Sequence, residues 1–584
     1  MLALLSFYKW FYRATSQIMT LIPSSVWMLV LACVLSSVNV AVVAQPTVKV
    51  LNGSYAGKYL PTWKQDVFLG IPYARDAGGP NRFRIPQALN ESWDDIRSAT
   101  QYGDQCPDDS YVIGAPYGQS ENCLSLNVVR PAASASKRST SGLLPVLVWI
   151  HGGSYQRGTT GLPQYNLTYI VARSMEIEKP IVGVSINYRK GGWGNMYSIE
   201  IAGSGNTNIA LRDMRQALAW LQENVEAFGG DPNSVTIWGE SSGSFAVGQL
   251  LLSYAGRTDG LFHKSIQESG SATTAWYNGT EWYQPIYDKI VDQVNCTDAV
   301  ETLECLRTVP FEALLPYINS SAVVGPGWYL TVDGDIVPEF PTKLLDSGRF
   351  AHVPHLYGSN SDEGTDNAPV GAINSDEDVY TWLSTGVGFG YPTSAVNEIM
   401  QLYPDDPAQG IPLNTGTERF ADLGYQYKRA AAIAGDIFYH APRLHDARQY
   451  AKFGGPTYIY RFNTRAYRTN VTATTYSATD ALAPAAKGVA HFSEVAFVFG
   501  SPGVGSDPEY QALSDQMSAQ WLSFVYNGDP NSAGLPEWPT YDQGTNGLNL
   551  VLQTQEQGGS YVEEDTYRLA GREFLTKWAP RRHV

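Results

Sequence analysis

The chain has 584 residues, of which 43% are hydrophobic and 16% charged, and its formal charge is -16. That much apolar content over that length supports a large buried core and excludes a disordered or fibrous chain. The acidic balance disfavours nucleic acid and anionic membrane as partners, since both would be repelled.

Residues 1–44 read as a secretory signal peptide. Lys9 and Arg13 precede an apolar run from Val26 to Ala44, and Val42-Val43-Ala44 ahead of Gln45 has the small residues of a cleavage site. The segment is long, which leaves two alternatives: a start at Met19, or retention as a membrane anchor. Ser36, Ser37 and Asn39 interrupt the apolar run and weaken the anchor reading. No linker rich in Pro, Gly or Ser and no internal repeat divides the rest of the chain, so residues 45–584 are expected as a single α/β domain.

Within that domain, Val146-Leu147-Val148-Trp149-Ile150 reads as a buried strand running into His151-Gly152-Gly153-Ser154-Tyr155. Taken alone, Gly-Gly is an ordinary tight turn; after a strand, bare backbone also lets N–H groups converge on one point. Farther on, β-branched and apolar residues Val235-Thr236-Ile237-Trp238 precede Gly239-Glu240-Ser241-Ser242-Gly243, and Phe245 to Leu251 can wind into a buried helix. The pentapeptide alone is a weak signal. Between a strand and a helix it is the pattern of a serine forced onto a strained turn, with glycines where a Cβ would clash.

A serine hydroxyl needs a base, an acid to orient the base, and donors for the oxyanion. In this chain order the acid lies between serine and histidine. Tyr357-Gly358-Ser359-Asn360-Ser361-Asp362-Glu363-Gly364, after the short apolar run Val353 to Leu356, offers Asp362 and Glu363, and composition does not choose between them. The base comes from His151, His263, His352, His355, His440, His445, His491 and His583. His491 stands in a short loop before the apolar stretch Val495 to Phe499, and spacing leaves His440 and His445 as rivals.

Cys33 falls in the leader, which leaves Cys106, Cys123, Cys296 and Cys305, an even number for an oxidising compartment. Their spacings do not resemble zinc ligation and no histidine pair accompanies them, so no metal site is expected. Sequons at Asn52, Asn90, Asn166, Asn278, Asn295, Asn319 and Asn470 are candidate glycosylation sites in an exported chain.

The chain also resembles the type-B carboxylesterase/lipase family, which includes fungal lipases and the cholinesterases, from about residue 47 to about residue 580. The resemblance is carried by Phe68-Leu69-Gly70-Ile71-Pro72-Tyr73-Ala74, Arg82-Phe83, and Glu121-Asn122-Cys123-Leu124-Ser125-Leu126-Asn127-Val128. Further along it rests on Ser185-Ile186-Asn187-Tyr188-Arg189, Gly205-Asn206, Asn208, Leu211, Asp213, Ala217 to Trp220, Phe228-Gly229-Gly230-Asp231-Pro232, the serine pentapeptide, and Trp521 to Trp538-Pro539. It implies an α/β-hydrolase fold, with a large, mostly parallel central sheet flanked by helices. By position it implies a triad of Ser241, Glu363 and His491, oxyanion donors at the backbone of Gly153, Ser154 and Ser242, and supporting roles for Glu240 and Ser269. It pairs Cys106 with Cys123 and Cys296 with Cys305. Two departures stand out: the family usually has glycine at 154 and alanine at 242, and either extra hydroxyl would bear on the acyl pocket.

The reaction so implied is hydrolysis of a small-molecule ester through an acyl-enzyme, with no metal or organic cofactor. In the family's lipases the first disulfide loop carries a long amphipathic flap, whereas Pro107 to Asn122 is short and polar. It also lacks the tryptophan with which cholinesterases hold a quaternary ammonium. The expectation is a secreted esterase for soluble short- or medium-chain or aromatic esters, without stable membrane association once the signal is removed. An interfacial triacylglycerol lipase is the alternative within the enzyme class, and a catalytically silent adhesion or binding homologue lies outside it. Trp276 is a candidate for lining the pocket, although most such aromatics are simply core.

Overall fold

The computed structural model describes residues 45–108, 118–132, 142–318, 327–385, 390–465, 485–501 and 507–578. Its frame is an eleven-stranded sheet. In chain order the strands are β1 (Lys58–Leu60), β2 (Gln65–Pro72), β3 (Ser125–Pro131), β4 (Leu144–Ile150), β5 (Val182–Ile186), β6 (Gly230–Glu240), β7 (Lys264–Glu268), β8 (His355–Asn360), β9 (Thr457–Phe462), β10 (Leu548–Leu552) and β11 (Tyr561–Glu564). They lie in the order β11-β10-β9-β8-β7-β6-β4-β5-β3-β2-β1. From β10 to β5 every neighbouring pair is parallel, and antiparallel strands close both edges. Three short strands, Thr47–Lys49, Ser54–Ala56 and Ile96–Ser98, form a separate small sheet.

The central strands are apolar on both faces because both faces are covered. Along β4, Val146, Val148 and Ile150 enter one core with Leu211, Trp220 and Val247, while Leu147 and Trp149 enter the other with Trp521 and Phe524. Trp149 and Trp238 are register partners on β4 and β6, and their rings lie 4.4 Å apart. The chain passes from β4 to β5 on one side and then returns to place β6 on the other side of β4. This reversal makes the carboxyl ends of β4 and β6 a topological switch point, the usual place for a ligand site in an open α/β sheet. The segments 151–155 and Ser241 follow those two strand ends.

Pro46–Val584 clusters as one compact unit. Residues 1–44, expected as a signal peptide, lie outside the described residues, as do Asn319, Asn470 and residues 109–117 of the first cysteine loop. Both disulfides are formed, Cys106–Cys123 and Cys296–Cys305. Of the sequons, Asn90 and Asn295 are exposed and Asn166 and Asn278 are partly so. Asn52 differs. It is buried, and its amide nitrogen, the atom that would carry a glycan, donates to the carbonyls of Leu89 and Glu91 at 3.2 and 3.1 Å. A glycan there would require that packing to open. Among the described residues no helix is long and apolar enough to cross a membrane.

Candidate active site

Ser241 sits between β6 and the helix α1 (Ser242–Leu252) with φ 57° and ψ -126°, a conformation that side chains with a Cβ avoid. Its N–H donates to Glu268 O at 2.9 Å and its carbonyl accepts from Phe245 N at 3.0 Å, so both neighbouring elements hold the turn. The flanking glycines answer to space. A Cβ on Gly243 would lie 2.1 Å from the Ile150 carbonyl oxygen, and one on Gly239 would lie 2.5 Å from the Gly243 backbone. Ser241 is partly exposed, and its Oγ makes no hydrogen bond among the described residues.

The loop after β4 packs directly against this turn. Gly153 has φ 112°, and Ser154 and Tyr155 come next at 59° and 60°, two non-glycine residues in left-handed backbone. Gly152 is in contact as well, since a Cβ there would meet Glu240 O at 2.7 Å and Ser241 Cβ at 2.9 Å. Among the described residues no protein acceptor takes the N–H of Gly153, Ser154 or Ser242. The Ser242 hydroxyl is buried and accepts from Tyr155 N at 3.1 Å. It therefore ties the serine turn to the glycine loop, which an alanine would not do.

Asp362 and Glu363, adjacent in one turn, make different contacts. Asp362 is buried and accepts the N–H groups of Val489 and Leu413, each at 2.7 Å. Burial pushes its carboxyl up, to about 6, against those two bonds. It braces the loop that carries His491. Glu363 Oε2 instead accepts from His491 Nδ1 at 2.7 Å, and its Oε1 accepts from Asn360 N at 2.7 Å and Ser269 Oγ at 2.5 Å. The other edge of the imidazole, Nε2, lies 3.1 Å from Glu240 Oε1, in the residue directly before Ser241. No hydrogen bond joins the ring to Ser241 Oγ among the described residues.

The rival histidines are spent elsewhere. His440 is buried, bonds Ser359 Oγ at 3.1 Å, and is kept neutral by burial, at about 3. His151 is likewise held at about 3, first by burial and then by Lys190, with its ring stacked on Tyr188 at 4.5 Å. His445 lies between Asp346 and Asp446, at 2.9 and 3.3 Å.

Behind His491 stands a group of carboxyls that the sequence reveals only in part: its motifs single out Glu240 and Glu363 and pass over Glu268 and Glu494. All four are buried. Trp521 Nε1 donates to Glu268 Oε1 at 2.7 Å, across 253 residues of chain, and Asn360 Nδ2 donates to Glu494 Oε2 at 2.6 Å. Ser269 Oγ lies 3.1 Å from Glu494 Oε1 as well as against Glu363. A hydroxyl has one proton, so it can donate to only one of them, and the other contact needs a proton on the carboxyl.

Four carboxylates cannot all stay ionised in so small a dry volume. Burial, then Glu363, raises Glu494 to about 7, and burial drives Glu240 and Glu268 well above the ordinary range. Among the described residues Glu240 Oε1 and Glu268 Oε2 have no hydrogen-bond partner, although His491 Nε2 stands 3.1 Å from Glu240 Oε1. Burial favours neutral imidazole at His491, but Glu240, Glu363 and Glu494 outweigh it and raise its basicity. Of the three, Glu363 is the one whose carboxyl hydrogen-bonds the ring, at Nδ1. The sequence signal for this group is slight, namely a glutamate at the end of a buried strand and another three residues after a loop histidine.

Trp276 is half-buried with its ring edge-on to Tyr329 at 5.1 Å. Among the described residues no group of three His, Cys, Asp or Glu side chains is arranged to hold a metal ion.

Comparison with known proteins gives a consistent picture. The model of the Carboxylesterase family matches residues 44–569. The chain is 32% identical to Secreted lipase 1 of Botryotinia fuckeliana (strain B05.10), over 92% of each chain. It is 30% identical to Carboxylesterase 1C of Mus musculus, covering 89% of this chain and 92% of that protein. The crystal structure of Aspergillus niger EstA superposes with a TM-score of 0.76 at 29% identity, covering 93% of this chain and 99% of that one.

Proposed function

The chain belongs to the carboxylesterase family and is a carboxylic ester hydrolase, and on that premise we propose that it works through an acyl-enzyme formed on Ser241. His491 takes the hydroxyl proton as Ser241 Oγ bonds to the ester carbonyl carbon. Glu363, bonded to Nδ1, stabilises the imidazolium. The N–H groups of Gly153, Ser154 and Ser242 receive the oxyanion. As the tetrahedral species collapses, the ester C–O bond breaks and His491 protonates the departing alcohol. Water then attacks the acyl-enzyme, gives its proton to the same histidine, and releases the carboxylic acid as Ser241 regains its hydrogen. Glu240 and Ser269 act behind these groups, Ser269 by holding Glu363 in place.

The observation that carries this reading is the 2.7 Å bond between Glu363 and His491, formed beside the residue that precedes Ser241. The strained φ of Ser241 and the uncommitted amides of the adjacent loop supply the other two parts.

For substrate we propose soluble short- or medium-chain or aromatic esters, because the Pro107–Asn122 loop is too short and polar to form a large apolar flap. The base of that loop is also fixed: Asp108 Oδ2 accepts from the buried Lys190 Nζ at 2.9 Å and Asp108 Oδ1 accepts from Gln119 at 3.1 Å. An interfacial lipase is the second reading, favoured by relatives named as lipases. Hydrolysis of a triglyceride followed across its solubility limit separates the two. A smooth saturating rate supports the esterase; a sharp rise where the emulsion forms overturns it in favour of the lipase. We propose export as well, on the two disulfides and the leader-like residues 1–44, with 45–584 as the mature single domain.

A further inference from the structure

The helical segment that faces His491 contains an irregularity. Between the helices α2 (Tyr427–Gly435) and α3 (Ala441–Phe453), residues Asp436–His440 form a single π turn. Such a turn inserts one residue and gives up regular helix bonds, so it persists where other contacts compensate it, and it is frequent at functional sites. Here the compensation is extensive. Asp436 accepts two bonds from Arg568, at 2.6 and 2.7 Å, and one from the Tyr403 hydroxyl at 2.7 Å. The Phe438 carbonyl accepts from Thr274 Oγ1 at 2.8 Å. Tyr439 donates its hydroxyl to Asn367 Oδ1 at 3.2 Å, and His440 Nδ1 meets Ser359 Oγ at 3.1 Å. The result is a buried tyrosine turned onto the imidazole. The Tyr439 and His491 ring centroids are 4.9 Å apart with planes inclined by 39°.

We propose that this π turn makes Tyr439 a positioning residue for His491: its ring fixes the tilt of the imidazole and stabilises the imidazolium formed when Ser241 loses its proton. The proposal rests on the reading of His491 as the general base. An aromatic face attracts a cation held over it, more strongly in a dry site. The phenol stays neutral, since burial, then Glu363, Glu240 and Asp366, raise it well above its ordinary value. The titratable groups that face the imidazole are Glu240 at Nε2, Glu363 at Nδ1 and Glu494 behind them. Of these, Glu240 and Glu494 are raised above the ordinary carboxyl range by burial, whereas the contribution of a neutral ring does not change with pH.

The test compares Tyr439→Phe, which keeps the ring and loses the Asn367 bond, with Tyr439→Leu, which keeps most of the bulk and loses the ring. Tyr439→Met repeats the second change with a flexible side chain should the leucine variant not fold. The titration of His491 is read by NMR on the full chain with 13C-labelled histidine, the resonance being assigned by its loss in His491→Gln. Loss of the ring is expected to lower the His491 midpoint by about half a pH unit or more. The acidic limb of kcat/KM for a soluble nitrophenyl ester shifts down with it, and kcat falls about tenfold with KM within about twofold. Tyr439→Phe stays close to the parent in both readouts. An unmoved midpoint in a folded leucine or methionine variant overturns the proposal, and so does a phenylalanine variant that behaves like leucine. The titration needs no substrate. The expected midpoint shift in the leucine variant, together with a parent chain that cleaves no ester, would therefore contradict the base assignment while supporting the ring contact.

Discussion

The Ser241 side of the site is built by backbone, whereas the His491 side is built by side chains drawn from distant stretches of chain. On the first side, a parallel strand, a strained turn and a helix succeed one another in sequence, and the glycine loop after β4 lies beside them because β4 and β6 are neighbours. On the second, Glu268 meets Trp521, Ser269 meets Glu363 and Glu494, and Asp362 holds the loop of His491. A backbone site fails by steric displacement, while a side-chain site fails by losing charge or a hydrogen bond. The two halves should therefore respond to different perturbations.

The largest effect is expected on the side-chain half from Glu363→Gln. It preserves shape but removes the charge that supports the imidazolium, and the loss of kcat should be about 10⁴-fold with little change in KM. Steady-state kinetics alongside an unchanged melting temperature would confirm it; a loss under about tenfold would place the supporting carboxylate elsewhere. On the backbone half, Gly243→Ala puts a Cβ against the Ile150 carbonyl at 2.1 Å. Overpacking there should cost about 1–3 kcal/mol of stability, and displacement of the turn should lower kcat about a hundredfold or more. Denaturant melts together with kcat decide it, and a variant normal in both would show the turn to be adaptable.

A third, smaller change probes the carboxyl group without touching the reacting atoms. Trp521→Phe removes the donor from Glu268 Oε1, in a position where that carboxyl is fully buried. It should cost about 1–3 kcal/mol of stability, measured by denaturant unfolding, with kcat lowered less than about tenfold. The smallest effect comes from an imidazole–carboxylate contact outside this group. Burial opposes protonation of His445, but Asp346 and Asp446 outweigh it and hold it at about 9. Because the folded value lies above the unfolded one, the stabilisation is complete below about pH 6.5 and is lost as pH rises through about 9. Asp346→Asn should thus lower the melting temperature by a few degrees at pH 6, and the gap should close by about pH 10. A gap independent of pH would mean that the contact is packing alone.

The same division decides how much the sequence reveals. The strand into Gly239 to Gly243 and the strand into the Gly152-Gly153 loop are legible because each is local, and the structure places both as expected. Resemblance to a family, not spacing, singles out Glu363 and His491 from Asp362, His440 and His445. Nothing local distinguishes two adjacent carboxylates in one turn, yet Asp362 proves to hold backbone and Glu363 to hold the ring. Glu268, Glu494 and the π turn stay hidden because their meaning depends on partners far along the chain, from 33 residues between Tyr403 and Asp436 to 253 between Glu268 and Trp521. From sequence, the hydroxyls at 154 and 242 are small additions that backbone donation tolerates and that bear on the acyl pocket; that the Ser242 oxygen accepts from Tyr155 N is visible only in the fold.

The central claim is that Ser241 is the nucleophile and that the Glu363-supported imidazole of His491 activates it. Stoichiometric labelling with an organophosphonate, followed by mass spectrometry of the digested chain, tests it most directly. The account predicts one adduct, on the peptide containing Ser241, absent in Ser241→Ala and formed far more slowly in His491→Gln and Glu363→Gln. An unlabelled chain, an adduct on another residue, or labelling at the parent rate in His491→Gln would contradict it.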